Sequence, residues 1–134
     1  ILIIVLIAAL CAAAFLGGML AAGRKSDNYT LYIGTSDKDT GVPEHSYEES
    51  KEIVVEVCSK YTGGYTLIDA EGFWTDGDGN SESELTIVCY LAGIKEPVVK
   101  SIANDIAREL NQYSVMVSQE STNVFFIENT ASAE

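Results

Sequence analysis

The stretch SYEESKEIVVEVCSKYTGGYTLIDAEGFWT, residues 46–75, changes its hydrophobic period halfway along. Its reading decides the fold. Ser46 and Glu49 fit a capping box, in which each side chain satisfies the other residue's free N–H at a helix start. Ile53, Val54, Val57, Cys58 and Tyr61 then fall on one helical face, with Glu48, Glu52, Glu56 and Lys60 largely opposite. Thr62, Gly63 and Gly64 stop the helix, because glycine accepts the left-handed conformation at a helix end. From Tyr65 to Thr75 the pattern is that of a strand.

Working outward toward the C-terminus, Asp76 to Asn80 reads as a turn and Glu84 to Leu91 as a second strand. Leu85, Ile87, Cys89 and Leu91 share one face of that strand. Glu96 and Pro97 open another helix, where an early proline costs no hydrogen bond. Val99, Ile102, Ala103, Ile106 and Leu110 line its inner side, and Asn111 ends it. Ser114–Ser118 and Val124–Glu128 read as two further strands. Toward the N-terminus, residues 36–45 form a loop. Before it, Tyr29, Leu31 and Ile33 alternate with Thr30, Tyr32 and Gly34, a strand period.

The order is therefore β-α-β-β-α-β plus an extra C-terminal β. That is the ferredoxin-like α+β arrangement, an antiparallel sheet with two helices on one face. The domain is expected over residues 29–128, with a polar linker at 24–28 and a polar tail at 129–134. The face away from the helices carries Tyr32, Val88, Tyr90 and Met116, with Tyr65, Leu67 and Phe73 as further candidates. Such a face is too apolar to be left wet. Tyr32, Tyr90, Met116 and Trp74 are accordingly the candidate interface residues, and a homo-oligomer is expected.

Residues 1–23, ILIIVLIAALCAAAFLGGMLAAG, carry no charge. At ~1.5 Å per residue the run can span a bilayer core of ~30 Å. Two readings stand, a transmembrane anchor and a signal peptide cut after Gly23, and the length of the run favours the anchor. Either one implies an extracytoplasmic protein, anchored to the cell membrane or secreted. Apart from Arg24 and Lys25, six Lys+Arg face 20 Asp+Glu, a net charge of −14. A chain this acidic repels phosphate backbones, so nucleic acid is not an expected partner.

Three strings resemble a bacterial family of small secreted domains known as domain of unknown function 3574. They are YTLYIG at 29–34, GYTLIDAEGFWTD at 64–76 and QYSV at 112–115. The middle string is the most specific, and the resemblance covers about residues 29–118. It implies export and the ferredoxin-like fold, but no reaction. Where the family has an arginine entering the next strand, this chain has Ser81-Glu82-Ser83-Glu84. The topology is also similar to that of the trimeric PII-type signalling proteins, a likeness of fold that does not carry function.

The candidate chemistry is sparse. Asp76, Asp78 and Asn80 alternate as cation ligands would, but Ser81 and Ile87 break the calcium-loop pattern, and Asp-Gly and Gly-Asn pairs also make ordinary hairpin turns. Asp69 and Glu71 share one strand face and, with Asp76, are the only candidates for acid–base work. His45 is the only histidine and sits in a loop without a partner motif. No phosphate-binding loop is present, and no cofactor is expected. Cys58 and Cys89 fall on facing core positions, as buried thiols or as a disulfide. The balance points away from an enzyme and toward a ligand- or protein-binding module that self-associates. The alternatives are a small enzyme built on the 69–76 carboxylates and a structural subunit of an extracellular assembly.

Overall fold

A computed structural model of the chain describes residues 24–75 and 77–127. The expected apolar helix at 1–23, Asp76 and the tail from residue 128 lie outside them. Among the described residues no helix is long and apolar enough to cross a membrane. The elements run β1 (Arg24–Gly34), α1 (Tyr47–Tyr61), β2 (Thr66–Thr75), β3 (Ser81–Ala92), α2 (Glu96–Glu109) and β4 (Met116–Val124). The sheet has four strands in the order β2-β3-β1-β4. β3 pairs antiparallel with both β1 and β2. This is the expected ferredoxin-like α+β fold.

Two boundaries differ from the sequence reading. β1 begins at Arg24, so the stretch expected as a linker is the first part of the strand. The segments expected as separate strands at 114–118 and 124–128 are replaced by one strand, Met116–Val124. β4 is an edge strand whose residues are nearly all exposed, so little apolar alternation marks its course.

The alternation in β1 survives as burial. Tyr29, Leu31 and Ile33 are buried, and they share their face with Ile87, Cys89 and Leu91 of β3 through the register Leu31↔Cys89. From the helices, Val54, Val57 and Cys58 of α1 and Val99, Ile102 and Ile106 of α2 close the core. The capping box forms: Ser46 N–H donates to Glu49 Oε2 at 2.8 Å and Glu49 N–H to Ser46 Oγ at 3.3 Å. Asn111, at φ 47°, takes the left-handed position that terminates α2. Tyr61, expected on the inner face of α1, instead reaches across to donate its hydroxyl to Asp105 of α2 at 2.6 Å. Ser50, a residue with no apolar signal, is fully buried near the start of the same helix.

The β2–β3 hairpin is longer than the rest of the sheet. β1 ends at Gly34, opposite Thr86, whereas β2 and β3 remain paired out to Thr75↔Ser81. The outer part of the hairpin therefore has no third strand beside it. Phe73, Trp74 and Leu85 are exposed for that reason, although Leu85 continues the alternation of Ile87 and Cys89.

Candidate functional site

Register decides which expected site residues meet. Leu67 pairs with Cys89 and so lies on the helix-facing side, with Tyr65. The expectation that these two belong to the open face is corrected on that ground. Phe73 has the same parity and leaves the open face with them. Ile68 belongs there instead, because it pairs with Val88, which in turn faces Tyr32. Val115 packs on the core, so the alternating neighbour Met116 points away from the helices. Tyr32, Ile68, Tyr90 and Met116 are all exposed. On this face β1, β2 and β3 add Asn28, Thr30, Thr66, Ala70, Thr86 and Val88 around these four, while the carboxylates Glu82 and Glu84 lie at its hairpin end and Glu120 alternates with Met116 on the edge strand β4.

The carboxylate candidates do not assemble. Asp69 accepts from Lys51 Nζ at 3.0 Å and from the Tyr47 hydroxyl at 3.1 Å. The lysine first, then the tyrosine, hold its carboxyl below the usual range. The Tyr47 hydroxyl is pushed up to about 12 by burial and by this bond to Asp69. A carboxylate stabilised in its charged form is a poor proton shuttle near neutral pH. Glu71 is exposed on the outer hairpin, and Asp76 lies outside the described residues. Gly79, at φ 87°, makes the turn that the Asp78-Gly79-Asn80 run encodes. Among the described residues no group of His, Cys, Asp and Glu gathers as a metal site.

Cys58 and Cys89 meet as expected of facing core positions. Their sulfurs lie 3.9 Å apart, an S–H···S contact rather than the ~2.05 Å of a bond. Contact with Cys58, then burial, pushes the Cys89 thiol up, so Cys89 is held protonated.

Sequence reasoning missed a cleft at the end of the sheet. It has a volume of about 360 Å³ and is lined by the 36–41 loop, Trp74, Glu84 and residues 112–114. Its walls are fixed by hydrogen bonds between segments distant in the chain. Asp37 Oδ1 accepts from the backbone N–H groups of Asp39 and Thr40 at 2.9 and 2.8 Å, and Oδ2 accepts from the Asn111 amide. Gln112 donates its amide to the Ser36 carbonyl. Glu84 Oε2 accepts from Thr35 N–H at 3.0 Å and Ser36 N–H at 2.9 Å. Trp74, expected at an interface, stands half-exposed in this cleft.

The Asp37 cluster makes a pH prediction. The Asn111 amide, then the Thr40 N–H, hold the Asp37 carboxyl down at about 2. A folded-state value below the unfolded ~3.9 means that its stabilisation is present above about pH 4 and lost as pH falls toward 2. Asp39, Glu49, Asp69 and Asp105 are also lowered and titrate over the acid range. The measurement is therefore a difference. The gap in urea midpoint between wild type and Asp37→Asn is expected to close between about pH 4 and pH 2. A gap independent of pH would contradict the assignment.

Comparison with known proteins adds the following. A family model described as Protein of unknown function (DUF3574) matches residues 28–126. No curated protein matches the sequence. Among solved structures, a phage SAM lyase in complex with S-methyl-5'-thioadenosine is similar at 13% identity and TM-score 0.54, covering 80% of this chain and 96% of its own. The phage SAM lyase in its apo state is similar at 12% identity and TM-score 0.55, covering 78% and 94%. Likeness at this identity is a likeness of fold.

Proposed function

Because the chain belongs to this family of unknown function, we propose a reading drawn from its own surface: it is a binding module that self-associates through the open face of its sheet. One observation carries this reading. The patch bearing Tyr32, Ile68, Tyr90 and Met116 is exposed and apolar on a chain of formal net charge −12, with Glu82 and Glu84 confined to the hairpin end of the face and Glu120 to its edge strand. Two copies of so acidic a chain repel each other over most of their surface. The apolar patch is where they meet with the fewest like charges juxtaposed, and burying it removes apolar area from water. A basic partner would instead favour the acidic helix surfaces, away from this face.

Export and membrane tethering through residues 1–23 form part of the proposal, supported by the unbroken apolar run of that segment. The enzyme alternative is disfavoured because Asp69 is already paired with Lys51 and Tyr47. The phage SAM lyases establish that a similar architecture can house a small ligand, which fits a binding role without specifying one.

The test is the oligomeric state of the full chain released from detergent, measured by native mass spectrometry. The expected species is a defined oligomer. Tyr90→Glu and Ile68→Glu each place a carboxylate on the face and are expected to yield monomer with an unchanged far-UV spectrum. A wild-type chain that stays monomeric at high micromolar concentration, or a Tyr90→Glu chain that still assembles, would sink the reading.

A further inference from the structure

We infer that the cleft between the 36–41 loop, the outer hairpin and residues 112–114 binds a small organic cation of the alkylammonium type. The argument is independent of self-association and rests on how the cleft is built.

Its walls carry two aromatic side chains, Trp74 and Tyr113, and Tyr113 is 83% exposed. A ring this exposed contributes little to the core. An aromatic face attracts cations through its quadrupole. The Tyr113 ring already does so within the chain, since Lys38 Nζ lies 5.6 Å from its centroid. The cleft thus holds an ammonium group in the geometry an external one would use. Trp74, the better cation acceptor of the two, has no cation over its ring among the described residues.

The second element is a preorganised carboxylate. Glu84 Oε2 is fixed by the backbone N–H groups of Thr35 and Ser36, while Oε1 makes no hydrogen bond among the described residues. Glu84 pairs with Gly72, two residues from Trp74 on the same side of the hairpin, so carboxylate and indole are diagonal neighbours. The other cleft carboxylate, Asp37, has both oxygens occupied. One anchored, charge-bearing oxygen beside two aromatic faces, in about 360 Å³, suits a compact cation and offers an anion nothing. Lys38 is paired with Asp39 at 2.7 Å, so it acts as an internal occupant in competition with a ligand rather than as an anion receptor.

Trp74 is the only tryptophan of the chain, so its emission reports on the cleft directly. The full chain in detergent is titrated with choline, with glycerophosphocholine and with 3,3-dimethyl-1-butanol, the neutral isostere of choline. Choline is expected to change Trp74 emission saturably in the millimolar range, and the neutral alcohol is not. Saturation by choline alone assigns a free quaternary ammonium ion, whereas saturation by choline and by the zwitterionic glycerophosphocholine extends the site to a lipid headgroup. Tyr113→Ala, at an exposed position, is expected to weaken choline binding about fivefold with the far-UV spectrum unchanged. Lys38→Met, which vacates the Tyr113 ring, is expected to strengthen it severalfold, while Lys100→Met, paired with Glu96 elsewhere, leaves it unchanged. An equal response to the neutral alcohol, no saturable response to choline or to glycerophosphocholine, or equal effects of Lys38→Met and Lys100→Met would overturn the assignment.

Discussion

Leu31→Ala is expected to lower the stability of the folded chain by about 3 kcal/mol, or roughly 15 °C in melting temperature for a domain near 100 residues. Leu31 is fully buried on β1, an inner strand flanked by β3 and β4. It stands opposite Cys89 in the register and belongs to the core closed by both helices. Truncation removes apolar contact and leaves a cavity that two layers of secondary structure cannot easily fill. Against a total of about 5–15 kcal/mol for a domain, that is a large fraction. Leu31→Met keeps the volume and is expected to cost below about 1.5 kcal/mol. Chemical denaturation of the two variants gives the comparison. A Leu31→Ala loss of under about 1 kcal/mol would mean that β1 is not the central core strand.

Gly34→Ala is the second large effect, expected at about 1–3 kcal/mol, and its cause is different. Gly34 is in ordinary strand backbone, so no special φ requires a glycine. What requires it is the Glu84 side chain. A Cβ at residue 34 would lie 2.8 Å from the Glu84 carboxyl carbon and closer still to Oε1. The carboxylate would have to leave the Thr35 and Ser36 N–H groups, giving up two charge-assisted hydrogen bonds. A double-mutant cycle isolates this cause. In a Glu84→Ala background the collision is gone, and Gly34→Ala is expected to be neutral or stabilising by up to about 1 kcal/mol, because alanine restricts the unfolded chain. Equal costs in both backgrounds would show that glycine is needed at residue 34 for some other reason.

The same pair of residues shows where sequence reading stops. Gly34 and Glu84 are about fifty positions apart, and neither carries a motif. Their contact follows from the β1–β3 register, in which Gly34 pairs with Thr86, the alternate neighbour of Glu84 on that strand face. Tyr65 and Leu67 teach a similar lesson. Their alternation was plain, but alternation names two faces without saying which one the helices cover. Pairing of Leu67 with Cys89 settled it. Trp74 reads from the sequence as an interface residue, and it lines a cleft because β1 ends before the hairpin does.

The sequence by itself determined the local elements. The capping box at Ser46 and Glu49, the helical spacing of Val54, Val57 and Cys58, the strand spacing of Tyr29, Leu31 and Ile33, and the stop at Asn111 each depend on residues within a few turns. It also determined the element order, and with that the ferredoxin-like class. Only the tertiary structure decided which carboxylates are paired, where the sheet narrows to two strands, and that a cleft forms between residues 36–41, 74, 84 and 112–114. Those features arise from register and from strand lengths relative to one another. Both are set by contacts between segments far apart in the chain, and no local period records them.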